Sequence, residues 1–387
     1  NMWDLLVLTA GDDRQKSIFE RELAEDEGWK EYARAVVVEA DTPGCRIGSG
    51  GATVAFVRSH PSLSSPSTSS RVLLIHSGGL SQRTPHLSVR GKLFGHVATG
   101  ETLLGVKLRK LSDLSTRLPP GIFVSASDVV EHILPLPQEF AIDADLVLLA
   151  HESAIEVAEQ HGVYVLDEER RLQRVLQKPS LQEMTDAVAI LENGSVLTDS
   201  AYWLSSKLSS QLAAINLPID CELCAYGDFL RPLGLLADSS YIKEDVSPLQ
   251  TWRLALFSVF RPAKPQILNA GADSFFHFGT LAEYVAHSRK ASVFASLPEQ
   301  SPSSSVVRSK GHITTGAGAF VELCRFPEGA QVSARSLVSC CSSSAHVTIP
   351  PDVALFTVPI TIGGKASYVT VMIGVDDDVK VSGKRVK

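Results

Sequence analysis

Short apolar runs, each broken by glycine or aspartate, punctuate the first two thirds of this chain. Residues 5–8 are Leu, Leu, Val and Leu, and they turn at Thr9, Ala10 and Gly11 into a stretch whose Ile18, Phe19 and Leu23 share a helical face. That pattern predicts a strand followed by a helix, one βα unit. Runs at 35–39 and 71–75 predict two more buried strands, and between them a glycine-rich turn at 48–53 precedes a helix from Val54. Leu104, Leu108 and Leu111 lie on one helical face, and residues 122–125 predict a strand that runs out at Asp128. Further strands are expected at 145–150 and 162–166, with His151 and His161 at their edges. Residues 197–200 read as the approach to a helix carrying Leu204, Leu208, Leu212 and Ile215, capped by Thr198, Asp199 or Ser200. The alternation predicts an α/β fold.

Toward the C-terminus the rhythm changes. Two tracts are rich in Pro and Ser: 61–70 predicts a flexible loop and 296–305 a domain boundary. Beyond the second, Ile313, Phe326, Val332 and Val338 recur at spacings near six or its multiples, with small residues between. This predicts coils of a left-handed parallel β-helix, with Gly316 and Gly318 at corners rather than in a phosphate loop.

The chain has 387 residues and a net charge of −7, which excludes a broad basic face for nucleic acid and leaves room for a local anion pocket. No apolar run approaches the ~18 residues needed to span a bilayer. Six cysteines include the adjacent Cys340 and Cys341 and one metal-like spacing, Cys221 and Cys224, which without a second pair nearby reads as two core thiols rather than zinc. With no charged-then-apolar leader before Trp3, a reduced, cytoplasmic protein is expected.

Candidate chemistry gathers around the third strand. Gly78 and Gly79 follow it directly, and Arg83 and Lys92 supply a planar fork and a point charge that could close over a triphosphate. The alternative is a plain strand turn with two solvated cations. Gly48, Gly50 and Gly51 stand where a helix start would favour an anion or a polar nucleotide edge, against the alternative of a tight structural turn. Asp128, at a carboxyl strand end, is either a metal ligand or a helix N-cap.

In order, these residues form G-G-x-S-x-R-x-P-x(5)-G-K from Gly78 through Ser81, Gln82, Arg83 and Pro85 to Lys92. The pattern resembles the signature of sugar-1-phosphate nucleotidyltransferases. More narrowly it resembles the fucose-1-phosphate guanylyltransferase, or GDP-L-fucose pyrophosphorylase, family, including the pyrophosphorylase domain of bifunctional fucokinase enzymes. The likeness extends through G-x-G-G-A-T at 48–53, H-G-V-Y at 161–164, Lys178-Pro179, T-D-S at 198–200, C-E-x-x-A-Y-G-D-F-L at 221–230 and G-T-x-x-E-Y at 279–284.

The resemblance implies a GT-A-like α/β domain with a mixed, mostly parallel sheet over 1–290, followed by the β-helix segment over 291–387. It implies a reaction of GTP with L-fucose 1-phosphate that yields GDP-L-fucose and pyrophosphate, with Mg²⁺ as cofactor. Arg83, Lys92 and Lys178 would be catalytic. Ala10, Gly11, Gly48, Gly50, Gly51, Thr53, Gly78, Gly79, Ser81 and Gln82 would hold the nucleotide. His161, Gly162, Thr198, Asp199 and Asp228 would hold the sugar, and Asp128 and Asp228 the metal. Cys224 departs from the family pattern, which carries an acidic residue there, so Glu222 or Asp228 would have to take over any role of that carboxylate. Two alternatives stay open: the same fold acting on another nucleotide or on a sugar such as D-arabinose 1-phosphate, and a silent regulatory subunit that binds nucleotide sugar. Arg83, Lys92, Asp128 and Lys178 together favour catalysis. An oligomer or a fused kinase domain outside the chain is compatible with the resemblance.

Overall fold

Residues 2–63, 65, 67–133, 141–244, 246–289, 305–377 and 379 are described by a computed structural model of the chain. Its first eleven strands are β1 (Leu5–Ala10), β2 (Val36–Ala40), β3 (Arg71–His76), β4 (Gly121–Ala126), β5 (Val129–Glu131), β6 (Leu146–Ser153), β7 (Gly162–Leu166), β8 (Leu172–Gln177), β9 (Val196–Ser205), β10 (Pro265–Asn269) and β11 (Phe275–His277). Seven of them form one sheet in the order β10-β6-β9-β4-β3-β1-β2, with the β7–β8 hairpin joined to β9, while β5 and β11 pair separately. Strands β1, β2, β3, β4, β6 and β10 point one way and β9 runs against them, so the sheet is mixed and mostly parallel. Their apolar runs are continuous because both faces are covered: Leu6, Val7 and Leu8 of β1 and Leu73, Leu74 and Ile75 of β3 are fully buried.

Helix α1 (Asp13–Glu25) is capped by Asp12, whose Oδ1 accepts from Gln15 N at 2.7 Å, and it buries Phe19 and Leu23 as the stripe requires. The next helix departs from expectation. Helix α2 (Gly48–Ser59) already includes the glycines read as a turn, because its first half passes so close to the 222–224 segment that side chains would collide. Helix α3 (Leu103–Leu111) buries Leu104, Leu108 and Leu111. The T-D-S residues do not cap a helix: Thr198, Asp199 and Ser200 lie inside β9, which continues through the apolar Ala201, Tyr202, Trp203 and Leu204. Ser205 is the cap of the helix Ser206–Ala213, accepting from Leu208 N at 3.2 Å. Tyr, Trp and Thr favour a pleated, buried surface, and that outweighs the helical spacing of the leucines.

The remaining strands are β12 (Val306–Val307), β13 (Lys310–Thr315), β14 (Phe320–Glu322), β15 (Arg325–Val332), β16 (Leu337–Ser339), β17 (Val347–Ile349), β18 (Val353–Ile362) and β19 (Lys365–Gly374). They build two parallel ladders, β12-β14-β16-β18 and β13-β15-β17, and β19 returns antiparallel along β18. Val321 pairs with Val338 and Val338 with Leu355, seventeen residues apart at each step. Phe326, Val332 and Val338 are buried between the ladders with Ile313 against them.

One apolar cluster crosses from the α/β part into the ladders, joining Leu87, Val97, Phe278 and Tyr284 to Phe320, Leu337 and Phe356. At its centre Glu322 is fully buried, and its carboxylate receives His96 N at 3.1 Å, His96 Nδ1 at 3.3 Å, Tyr284 Oη at 3.0 Å and Ser339 Oγ at 2.9 Å. Apart from Ser305, the expected boundary tract lies outside the described residues. Among the described residues no helix is long and apolar enough to cross a membrane. Cys221 is half-buried and Cys224 exposed, so they are not the expected pair of core thiols; Cys324 and Cys341 are the buried ones.

Candidate active site

Because β1, β3 and β4 are parallel neighbours, their carboxyl ends bring Gly11, Gly78 and Asp128 to one edge of the sheet. There they line a cleft of about 830 Å³ together with Gly48, Gly79, Ser81, Gln82, Arg83 and Lys92. Gly78 is a glycine for space, since a Cβ there would lie 2.9 Å from Gly11 N. Gln15 ties the two loops together: its Oε1 accepts from Gly11 N at 2.7 Å and from Gly79 N at 3.4 Å, and its Nε2 donates to Gly79 O at 3.0 Å. Arg83 is exposed on the cleft wall.

Four residues expected at the nucleotide do not line this cleft. Ala10 is fully buried, and its carbonyl accepts from Asp41 N at 2.8 Å. A Cβ on Gly50 would meet Leu223 Cβ at 2.9 Å and one on Gly51 would meet Ile47 Cβ at 2.7 Å, so both are packing glycines of α2. Thr53 is buried, with its hydroxyl 2.8 Å from His76 Nε2 and 3.0 Å from Ser49 O.

A second cavity of about 180 Å³ adjoins the cleft and contains His161, Gly162, Lys178 and Asp199. The two share one lining residue among those described, Asp128. Lys92 Nζ donates to Asp128 Oδ2 at 2.8 Å from the cleft side, and His277 Nε2 stands 3.8 Å from the same oxygen on the other side. Burial works against ionisation of Asp128, but Lys92 and His277 outweigh it and hold the carboxyl well below the usual carboxylate range. No helix follows Asp128; β5 does, so the N-cap alternative falls away.

In the smaller cavity Asp199 Oδ1 accepts from Gly162 N at 2.9 Å, while Oδ2 is buried without a partner. Burial pushes its carboxyl up to about 6. Gly162 must lack a side chain, because a Cβ would fall 2.3 Å from that oxygen. Lys178 is an exposed residue in the left-handed region at φ 48°, its amide anchored to His161 O at 2.9 Å. Burial, and then the neighbouring His277, push the His161 imidazole down to about 4.

Two expected sugar contacts lie elsewhere. Thr198 is fully buried, its hydroxyl 2.7 Å from Ser153 Oγ. Asp228, expected at both sugar and metal, is buried away from both cavities: its Oδ1 accepts from Arg253 Nε at 2.7 Å and its Oδ2 from Cys224 N at 2.7 Å. It latches a loop and does not present a ligand. Glu222 does reach the cleft and Cys224 the smaller cavity.

Among the described residues no three His, Cys, Asp or Glu side chains converge as metal ligands. Magnesium is commonly held by one or two carboxylates plus substrate phosphates, and Asp128, kept ionised at the meeting of the cavities, fits that donor set.

Gln15, Asp41, His76 and His277, to which the sequence assigned no role, also line a cavity. Burial raises the Asp41 carboxyl to about 6. His76 ends β3 beside the glycines, and His277 lies just before Gly279 and Thr280, so adjacency to the quoted motifs was the one signal available.

The profile of the fucose pyrophosphorylase domain matches residues 67–387. A mouse protein named fucose-1-phosphate guanylyltransferase is 28% identical over 99% of this chain and 75% of its own length, and its human counterpart is 28% identical over 99% and 74%. A bifunctional fucokinase/GDP-fucose pyrophosphorylase of Arabidopsis thaliana is 23% identical over 74% of this chain and 32% of its own length. Solved structures described as mannose-1-phosphate geranyltransferase from Thermus thermophilus and as HddC from Yersinia pseudotuberculosis complexed with GMP-PN are each 13% identical with a TM-score of 0.31, covering 95% and 75% of this chain and 94% and 99% of theirs. Those two likenesses carry no structural conclusion. The profile match spans most of the sequence, and this chain belongs to the fucose pyrophosphorylase family of enzymes.

Proposed function

We propose that this protein transfers a guanylyl group from GTP to L-fucose 1-phosphate, forming GDP-L-fucose and releasing pyrophosphate. The observation that carries the reading is the pair of unequal cavities meeting at Asp128. The larger, near the upper range of small-molecule pockets, has room for a nucleoside triphosphate, and the smaller is of the order of one sugar ring.

An oxygen of the sugar phosphate attacks the α-phosphorus in line. A new P–O bond forms as the bond to the β-phosphate oxygen breaks, and pyrophosphate leaves with that electron pair. A phosphate monoester has a second pKa near ~6 and is mostly dianionic at neutral pH, so no protein base is needed. What the residues supply is alignment and charge cancellation between two anions. Arg83 and Lys92 face the β- and γ-phosphates, Lys178 the sugar phosphate, and the unpartnered Asp199 Oδ2 accepts from a sugar hydroxyl. Asp128 would hold Mg²⁺, which when bound adds positive charge at the α-phosphate.

We further propose that the ladders are two faces of a left-handed parallel β-helix, that the units divide at 1–290 and 291–387, and that the enzyme works in the cytoplasm. The test of function is pyrophosphate release from GTP or ATP with Mg²⁺ and a panel of sugar 1-phosphates. Preference for GTP with L-fucose 1-phosphate is expected. Equal rates with ATP, or faster turnover of D-arabinose 1-phosphate, would replace the reading, and no release with any pair would leave a binding subunit.

A further inference from the structure

Beyond its charge effect on Asp128, His277 has no assigned task, yet its ring is held by several neighbours. Nδ1 is 3.0 Å from Glu283 Oε1, and Glu283 is itself fixed by the capping box of the helix Leu281–Ser288, accepting from Thr280 N at 2.9 Å. Gly279 lies against the imidazole so closely that a Cβ there would fall 2.1 Å from Cε1. The His161 ring meets it edge-on at 5.3 Å, and the Phe275 ring lies parallel at 6.3 Å. The Nδ1 contact with Glu283 and the close Gly279 backbone limit the rotamers open to the ring. The nitrogen that remains, Nε2, stands 3.8 Å from Asp128 Oδ2, beyond hydrogen-bond reach, where the two cavities join.

The cavities are therefore flanked in parallel. Lys92 approaches Asp128 from the nucleotide side and lines that cleft; His277 approaches the same oxygen from the other side and lines the smaller cavity. A sugar phosphate entering the smaller cavity has to bring its phosphate to this junction, since its oxygen must reach the α-phosphorus. Lys178 sits on the exposed rim, so it does not by itself orient a phosphate at the junction.

We propose that His277 is a sugar 1-phosphate ligand: Nε2–H donates a hydrogen bond to a non-attacking phosphate oxygen, and this contact aims the attacking oxygen at the nucleotide. Glu283 is a positioning residue that fixes the ring through Nδ1, and Gly279 leaves room for it. The inference rests on the smaller cavity being the sugar-phosphate site. Preorganised contacts of this kind act on binding and on alignment together.

The test compares wild type with His277→Leu, His277→Gln and Gly279→Ala. Wild-type pyrophosphate release from GTP and L-fucose 1-phosphate is the control, and its absence would sink the proposed function rather than this inference. In an active enzyme, His277→Leu should weaken L-fucose 1-phosphate binding to the metal-free protein, measured by calorimetry, roughly 10- to 100-fold, the usual loss for a hydrogen bond to a charged group. GTP binding and inhibition by unphosphorylated L-fucose should be unchanged. His277→Gln, which keeps a polar end group, should recover part of the loss and carries the test if the leucine variant misfolds. Gly279→Ala should mimic the leucine variant by displacing the ring. Equal weakening of L-fucose and its 1-phosphate would show that His277 only shapes the sugar pocket, and unchanged binding of both would remove it from the site; either result overturns the inference.

Discussion

Lys92 and Asp128 form one device, and each should fail in its own way. With the carboxylate replaced, Asp128→Asn should lower metal-dependent pyrophosphate release by on the order of 10²-fold or more while the fold persists, because an amide is a poor magnesium ligand. Metal titration of the variant checks this, and wild-type turnover with normal metal dependence would take Asp128 out of the chemistry. Lys92→Ala should lower both kcat and kcat/KM by about 10²-fold if, as proposed, its charge follows the phosphates into the transition state, and Lys92→Arg should restore only part. Steady-state kinetics in both directions decides, and unchanged rates would make Lys92 a bystander. At this scale the sequence pointed to Arg83, Lys92 and Asp128, which the structure brings to the lining of one cleft. It misled at Asp228, because a carboxylate spent on Arg253 and a backbone amide looks in sequence like one available for a ligand.

Among elements, Gly50 and Gly51 in the first turn of α2 were read as nucleotide contacts and prove to be packing contacts, while Gly48 lines the cleft. Gly50→Ala places a Cβ 2.9 Å from that of Leu223 and should destabilise the fold by roughly 1–3 kcal/mol, the usual range for overpacking. Denaturant titration measures that loss. Any preference for GTP over ATP should survive in the folded fraction, and a selective loss of that preference with full stability would return Gly50 to the nucleotide. Strands β1, β2, β3, β4 and β6 were legible because buried parallel strands are continuous apolar runs. The start of α2 was not, and β9 was read as the approach to a helix, because each is decided by a distant partner: the 222–224 segment for α2, and β4 with β6 for β9.

For the whole molecule, Glu322 is the polar group at the centre of the interface. Burial pushes its carboxyl up, but His96, with His86 and Ser339, more than offsets this and leaves it near 2, below its ordinary 4.5. A depressed carboxylate contributes stability that is complete above its unfolded value and disappears as pH falls from about 4.5 through about 2. Glu322→Gln should therefore cost roughly 1.5–3 kcal/mol at neutral pH, with the gap to wild type closing toward pH ~2. A gap independent of pH would mean that shape rather than charge is what the residue contributes. Spacings near six predicted coils, whereas the paired strands recur every seventeen residues, and nothing about Glu322 in the chain points back to His96. The shared core has a consequence for unfolding. Units joined by a small polar seam come apart one at a time, whereas here residues such as Tyr284 and Phe320 belong to one apolar cluster on both sides of the 290–304 connection. The two architectures should therefore melt in a single cooperative transition, with the loop carrying Lys92 losing its structure at the same temperature as the last strand.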